Sequence, residues 1–500
     1  MKNLLLLTGF LLTLPALSRA QTPAPAATPQ YRPSFHFTPA AKWMNDPNGM
    51  VFYQGEYHLF FQHYPAGDVW GPMHWGHATS KDLVRWQPQP IALYPDSLGY
   101  IFSGSAVVDA QNTSGFGKNR QVPLVAIFTH HDPKDEKAGT KTFQNQSLAY
   151  SLDAGKTWTK YAGNPVLKNP GVQDFRDPKV SWHAPSKHWV MTLATKDRIT
   201  FFASPNLKDW TKLSEFGEKL GGHGGVWECP DLFPLTLDGK THWVLLISIN
   251  PGGPQGGSAT QYFVGDFDGK TFTPSNTRTR WIDSGRDNYA GVTWGNTGAR
   301  RIFLGWMNNW DYATTVPTAP WRSAMTVPRE LSLRRVSNDI ILVQQPVAEL
   351  AAREKTAFTV SAKTVAKTYE VPYKGTAYDL TLDLKLGTAR TLTLNVLQSA
   401  GETTALRYDV AQQTLTLDRT KSGNVAFNPK FSSAETMKVP LSNGRLKLRV
   451  LVDKASVEVF AQDGAHVLTD VVFPTKQEGR ISLVADGGAA EITSLKINTL

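Results

Sequence analysis

Tyr57-His58-Leu59-Phe60-Phe61 is an apolar, aromatic-rich run with four counterparts along the first two thirds of the chain. These are Pro123-Leu124-Val125-Ala126-Ile127-Phe128, His188-Trp189-Val190-Met191-Thr192-Leu193, His242-Trp243-Val244-Leu245-Leu246-Ile247 and Arg301-Ile302-Phe303-Leu304-Gly305-Trp306. Their starts lie roughly 55 to 65 residues apart, within the span of a four-stranded propeller blade with long loops. Five such units imply five blades. A second pattern keeps the same period: Lys81 to Trp86, Ser151 to Trp158, Pro205 to Trp210 and Asp266 to Phe272 each follow one of the first four runs. They read as polar turns closed by an aromatic ring, with Asp, Asn and Gly supplying the turn geometry, and mark the outer hairpins of successive blades.

Three short acidic motifs fall at matching places in this repeat: Trp43-Met44-Asn45-Asp46-Pro47-Asn48-Gly49, Phe175-Arg176-Asp177-Pro178 and Trp227-Glu228-Cys229-Pro230. Taken singly, each carboxylate is more readily a solvated charge or a turn cap. As a set they differ. Asp46 precedes Leu59 by 13 residues, Asp177 precedes Trp189 by 12 and Glu228 precedes Trp243 by 15, which is one strand plus one hairpin in each case. Each acid therefore opens the innermost strand of blade one, three or four, and the three side chains meet at one funnel mouth. Three carboxylates converging on a pocket suit hydrolysis of a glycosidic bond.

The three motifs, in this order and spacing, resemble glycoside hydrolase family 32, the invertases, inulinases and levanases that release fructose from fructosides. The resemblance covers nearly all of the chain beyond its first residues. It implies that Asp46 is the nucleophile, Glu228 the general acid and base, and Asp177 the stabiliser of the transition state through fructosyl hydroxyls. It also implies sugar contacts from Asn45, Gln62, Trp70, Phe102, Ser103, Arg176 and Trp306. Amides suit a neutral sugar because they offer a donor and an acceptor together. Arg176 and Asp177 are neighbours, so on a regular strand they would face opposite ways unless the strand end is bent. A retaining pair needs carboxyl groups about 5 to 5.5 Å apart, one of them protonated. Trp227 and Cys229 give Glu228 the more apolar local sequence, which favours it as the proton donor. The amides of Asn45 and Asn48 would favour the ionised form of Asp46.

Other features bound the reading. The 15 Trp, 15 Tyr and 24 Phe residues are mostly core, since rings build the packing between blades. The glycine-rich stretch Ser248 to Ser258 has no phosphate-loop spacing; it reads as a blade-four hairpin loop and resembles that of exo-acting fructan hydrolases. Cys229 is the only cysteine, so no intramolecular disulfide can form. A buried thiol packed beside the acid is expected there, not a catalytic one. The net charge of +10 comes from scattered Lys and Arg with no long basic run, so no nucleic-acid partner is expected. The 12 His residues show no ligand spacing, and neither metal nor cofactor is expected.

Residues 1–20 read as a secretory signal: Lys2, an apolar run from Leu4 to Leu17, and Ser18-Arg19-Ala20 as the cleavage site. The run is too short for a spanning helix, no Cys follows for lipid anchoring, and the protein is expected to be exported to a periplasm or the cell exterior. Residues 21–33, rich in Pro, Ala and Thr, read as a flexible leader, and 34–342 as the propeller. A linker helix is expected over 343–354, starting at Pro346. The alternating strands beyond it, such as Leu446 to Val452 and Ser456 to Phe460, read as a β-sandwich over 355–500 that is expected to brace the propeller, with carbohydrate binding as the alternative. The fold class is thus all-β, a five-bladed propeller followed by a sandwich. The expected substrate is a fructose-containing oligo- or polysaccharide cleaved from its end. Sucrose-preferring invertase or fructosyltransferase action, and a non-catalytic fructan-binding propeller, remain as alternatives.

Overall fold

The computed structural model describes residues 29–500; the expected secretory signal and residues 21–28 of the leader lie outside the described residues. Five antiparallel sheets follow one another along the chain, each a meander with its earliest strand innermost. The innermost strands are Trp43–Tyr53, Tyr100–Val108, Phe175–His183, Val226–Leu237 and Tyr289–Thr293. Each touches the next, and the fifth returns to the first, so five blades close a ring. Backbone bonds seal the closure: Gly295 donates to Met50 O at 2.9 Å and Phe52 donates to Gly295 O at 2.9 Å.

The five apolar runs form the second strands, Glu56–Tyr64, Leu124–His131, His188–Thr195, Lys240–Asn250 and Ile302–Met307. A second strand is covered on both faces by neighbouring blades, which explains a continuous apolar run in place of alternation. Every residue of Leu124–His131 is buried. The four polar turns are the outer hairpins. In each, one side chain takes two amides or an amide and a hydroxyl: Asp82 accepts from Val84 and Arg85 (3.0 and 2.7 Å), and Asn206 from Lys208 and Asp209 (3.0 and 2.9 Å). Asp268 accepts from Lys270 and Thr271 (2.8 and 2.6 Å), while Asp153 takes the amide and hydroxyl of Thr157 (2.9 and 2.6 Å). Residues 251–258 form the expected blade-four hairpin loop, with Gly257 O accepting from Gly252 and Gly253.

The segment expected to be a linker helix is mostly something else. Val343 to Pro346 completes the strand Asp339–Pro346, paired with Arg329–Val336. Only Ala348–Arg353 turns, as a 3-10 helix. Pairing to the blade satisfies the backbone through Pro346, and the six residues left are too few to nucleate an α-helix. Residues 29–33 likewise differ from a flexible leader. Gln30 donates to Pro474 O at 2.8 Å, and the Arg32 guanidinium lies 3.6 Å over the Trp321 ring.

Two six-stranded sheets form the sandwich around one apolar core. Its strand His466–Val471 runs against propeller residues 283–287, with Ser284 donating to Val467 O (2.8 Å) and Asp287 to Thr469 O (3.0 Å). Gly285 sits so close that a Cβ there would lie 2.3 Å from Thr469 O. Buried charge fills the rest of the seam. Arg329 donates to Glu458 at 2.5 Å, to Thr469 Oγ1 at 2.7 Å and to Asp283 at 3.2 Å. His36 lies between Asp453 (2.9 Å) and Glu458 (2.7 Å).

Burial alone would lower the pKa of His36, but the hydrogen bonds to Asp453 and Glu458 outweigh it and raise it to about 9. A raised histidine contributes stability that is complete below its unfolded value near 6.5 and is lost as pH rises through about 9. Tm should therefore fall between pH 7 and pH 10 in the parent protein. His36→Ala, which leaves two buried carboxylates short of their cation, should lose on the order of 3–5 kcal/mol at pH 7 in denaturant titrations, and its Tm should depend less on pH over this range.

Candidate active site

A regular strand turns alternate side chains to one face. In every blade the innermost strand breaks this rule at the same place, where two of its residues stand opposite one residue of the second strand. The pairs are Asn45 and Asp46 opposite Gln62, Phe102 and Ser103 opposite Thr129, and Asp177 and Pro178 opposite Leu193. In the last two blades, Cys229 and Pro230 stand opposite Ile247, and Ala290 and Gly291 opposite Gly305. Asp177, Cys229 and Ala290 have left-handed backbones, with φ of 63°, 45° and 53°. These are β-bulges, which bend the strand and re-aim its side chains.

The bulges open a pocket of about 240 Å3 at the end of the propeller axis. Of the residues expected there, Asn45, Asp46, Gln62, Trp70, Phe102, Ser103, Arg176, Asp177 and Glu228 all line it. Arg176 and Asp177 share it because the left-handed backbone of Asp177, where the bulge begins, turns its side chain out of the strand's alternation. Trp306 does not. It is fully buried in the core of the first and fifth blades, packed at a tilt behind Trp310, with ring centroids 4.9 Å apart. Trp310 is the ring that reaches the pocket, backed by Trp43 at 5.8 Å.

Each carboxylate is held differently. Asp46 accepts from Asn45 Nδ2 at 2.9 Å and Ser103 Oγ at 2.9 Å. Asn48, expected to help, reaches only the backbone oxygen of Asp46. Asp177 accepts from the Cys229 amide at 3.0 Å. Glu228 Oε1 accepts from Arg176 at 3.0 and 3.2 Å, and Oε2 accepts from the Tyr289 hydroxyl. The apolar setting expected of Glu228 is therefore absent. Trp227 turns into the core and donates to Gly222 O at 2.8 Å, leaving the carboxylate among polar groups.

Burial raises the pKa of Asp46, and the charge of Glu228 adds to it, against the hydrogen bonds from Asn45 and Ser103. Burial lifts Asp177 to about 7; Arg176 opposes this, and Glu228 and Asp46 reinforce it. Cys229 is buried with Sγ 3.6 Å from both Asp46 and Asp177; burial and the surrounding carboxylates push its thiol well above the usual range. It stays a neutral thiol wedged between two acids.

Sequence reasoning missed Tyr289, Asp174, His131, Glu136, Gln144 and Trp310. Asp174 binds Arg176 at 2.5 Å, and Gln144 Oε1 accepts from the Phe175 amide at 2.8 Å. Glu136 rides on the short helix Pro133–Lys137, capped by Asp132, which accepts from the Lys134 amide at 2.8 Å. Its oxygen meets His131 at 3.0 Å, and His131 stacks on Phe102 at 4.2 Å. The Asp132-Pro133 pair, a good N-cap followed by a proline, was a readable signal for that helix.

Set beside known proteins, the chain matches the model of the glycosyl hydrolases family 32 N-terminal domain over residues 36–346, and that of the family 32 C terminal over residues 347–499. It is 49% identical over 484 residues to a levanase of Bacillus subtilis strain 168, covering 94% of this chain and 70% of that one. It is 42% identical over 516 residues to an extracellular exo-inulinase of Aspergillus ficuum, covering 94% of each. The crystal structure of an exo-inulinase from Aspergillus awamori superposes with a TM-score of 0.89 at 40% identity, over 95% of this chain and 99% of that one. The chain belongs to glycoside hydrolase family 32.

The raised pKa of Asp177 has a sign. A carboxyl whose folded value, about 7, lies above its unfolded value near 4 destabilises the fold progressively as pH rises between the two. Asp177→Asn keeps an acceptor for the Cys229 amide and removes that burden. It should raise Tm at pH 7.5, and the gain should shrink toward pH 4. An equal gain at both pH values would contradict the buried charge.

Proposed function

We propose that the pocket takes the terminal fructosyl unit of a β-fructan such as levan or inulin, and of sucrose, and releases it with retention through a covalent intermediate. The chain is a β-fructosidase-type glycoside hydrolase, and the roles rest on how the three carboxylates are held. Asp46, whose ionised form the hydrogen bonds from Asn45 and Ser103 favour against burial, attacks the anomeric carbon. Glu228 protonates the leaving oxygen and then deprotonates the water that frees fructose. Arg176 and Tyr289 fix its carboxyl group between them. Asp177 accepts hydrogen bonds from fructosyl hydroxyls, which strengthen as the ring gains oxocarbenium character.

The observation that carries this reading is the size of the pocket that holds all three carboxylates. At about 240 Å3 it is small for a ligand site. That size suits one sugar ring entering from a chain end. Relatives that bear the names levanase and exo-inulinase support the same substrate class. An exported location is supported by the reading of residues 1–20 and by the word extracellular in the name of the exo-inulinase relative.

Incubation with sucrose, inulin and levan should yield fructose as the only sugar released from the polymers. Short oligomers would mean internal cleavage, and longer products from sucrose would mean transfer. Asp46→Ala should lower kcat at least about a thousandfold, as expected on losing a nucleophile; a loss under about tenfold would contradict its role. Ser103→Ala removes a hydrogen bond that favours ionised Asp46, so the acidic limb of kcat/KM should move to higher pH.

A further inference from the structure

Among the described residues, five large hydrophobic side chains are well exposed: Val69 (44%), Trp70 (40%), Tyr94 (54%), Leu98 (40%) and Val336 (46%). Four of the five sit on two adjacent loops, one of which carries Trp70 into the pocket wall. Residues 65–73 join the second and third strands of blade one, and residues 94–99 lead from its last strand into blade two. Ring contacts tie both loops to the strands beside them. Trp70 meets Phe102 at 6.0 Å and Tyr100 at 6.5 Å, and Tyr94 packs edge-on against His74 at 5.4 Å.

The exposure does not come from loose loops. Lys160 binds both Tyr94 O and Asp96 at 2.5 Å. Asp96 and Gly99 exchange backbone bonds at 3.1 Å, and Asp96 accepts from the Leu98 amide at 2.8 Å. Asp68 pairs with Arg322 at 3.3 Å, tying down the other loop. These charges cancel in pairs, so the patch is rigid, apolar and locally neutral. An apolar patch at a pocket mouth marks a binding surface, and a preorganised one binds without an ordering cost.

We propose that Val69, Trp70, Tyr94 and Leu98 form a shelf that carries the fructan chain on the leaving-group side of the scissile bond, beyond the first sugar. The proposal rests on the fructosidase reading. Trp70 belongs to both the pocket wall and the shelf, so a chain whose end lies in the pocket emerges onto these rings. Furanose rings present C–H faces to aromatic planes, and the tyrosine hydroxyl keeps a polar handle for the sugar hydroxyls. The shelf favours long substrates through KM and leaves the chemical step alone.

The test is a Tyr94→Ala/Leu98→Ser double variant assayed on sucrose, an inulin trisaccharide, inulin and levan. Polymer KM should rise about three- to tenfold, while kcat on polymer and kcat/KM on sucrose stay within about twofold. The parent's preference for polymer over trisaccharide should shrink by the same factor. Leu98→Glu alone, at an exposed tip, should act in the same direction should the double variant fold poorly. Unchanged polymer KM in both variants would overturn the shelf, as would equal losses on sucrose and polymer. A change in sedimentation mass with polymer KM unchanged would assign the patch to a second copy of the chain, and would also overturn it. If the parent releases no fructose from any of these sugars, the fructosidase reading falls and the shelf falls with it.

Discussion

A strand of period two cannot turn neighbouring side chains to one side, yet this pocket uses neighbours: Asn45 with Asp46, Phe102 with Ser103, Arg176 with Asp177. One bulge per innermost strand resolves the conflict, and the rest of the site depends on it. Left-handed backbone at Asp177, Cys229 and Ala290 costs of order 1–3 kcal/mol each and persists only where the surroundings over-determine it. Here the surroundings are second strands packed on both faces and rings between blades. The same local distortion is repeated around the axis, so five ordinary blades deliver one concave, polar floor.

In that pocket Asp46, Asp174, Asp177 and Glu228 gather beside a single guanidinium. Arg176 spans Asp174 and Glu228, and Tyr289 holds the other oxygen of Glu228. Burial and the neighbouring carboxylates raise the pKa of both Asp46 and Asp177, against their hydrogen-bond donors and, at Asp177, against the charge of Arg176. The sandwich enters this chemistry at a distance. Residues 283–287, pinned by backbone bonds to His466–Val471, lead directly into the strand Tyr289–Thr293 that carries the Tyr289 hydroxyl. Bracing is therefore more than protection of an apolar face. It fixes the strand whose Tyr289 hydroxyl binds Glu228.

The propeller was legible because its second strands are buried on both faces and write their burial as uninterrupted apolar runs, while Asp82, Asp153, Asn206 and Asp268 write the outer turns. The pocket was legible through its motifs. What misled was local sequence read as local environment. Trp227 and Cys229 suggested an apolar Glu228, but the tryptophan turns into the core and Arg176 and Tyr289 arrive from other blades, contacts that no neighbour in sequence announces. Trp306 lies in an apolar run and is core for the same reason as its companions. Trp310, four residues on and past the strand end, is the one free to reach the pocket. The linker failed for a related reason: residues 343–354 read as one segment with a helix starting at Pro346, but pairing with Arg329–Val336 makes 343–346 the end of a strand.

The central claim is that Asp46 attacks from the face of the ring opposite Glu228, so that two displacements restore the starting configuration. Running the reaction on sucrose in aqueous methanol and determining the anomeric form of the methyl fructofuranoside by NMR tests it directly, because this product cannot mutarotate. The β-anomer alone is the expected result. The α-anomer would mean a single displacement, and would contradict both the role of Asp46 and the account of why the bulges bring these carboxylates together.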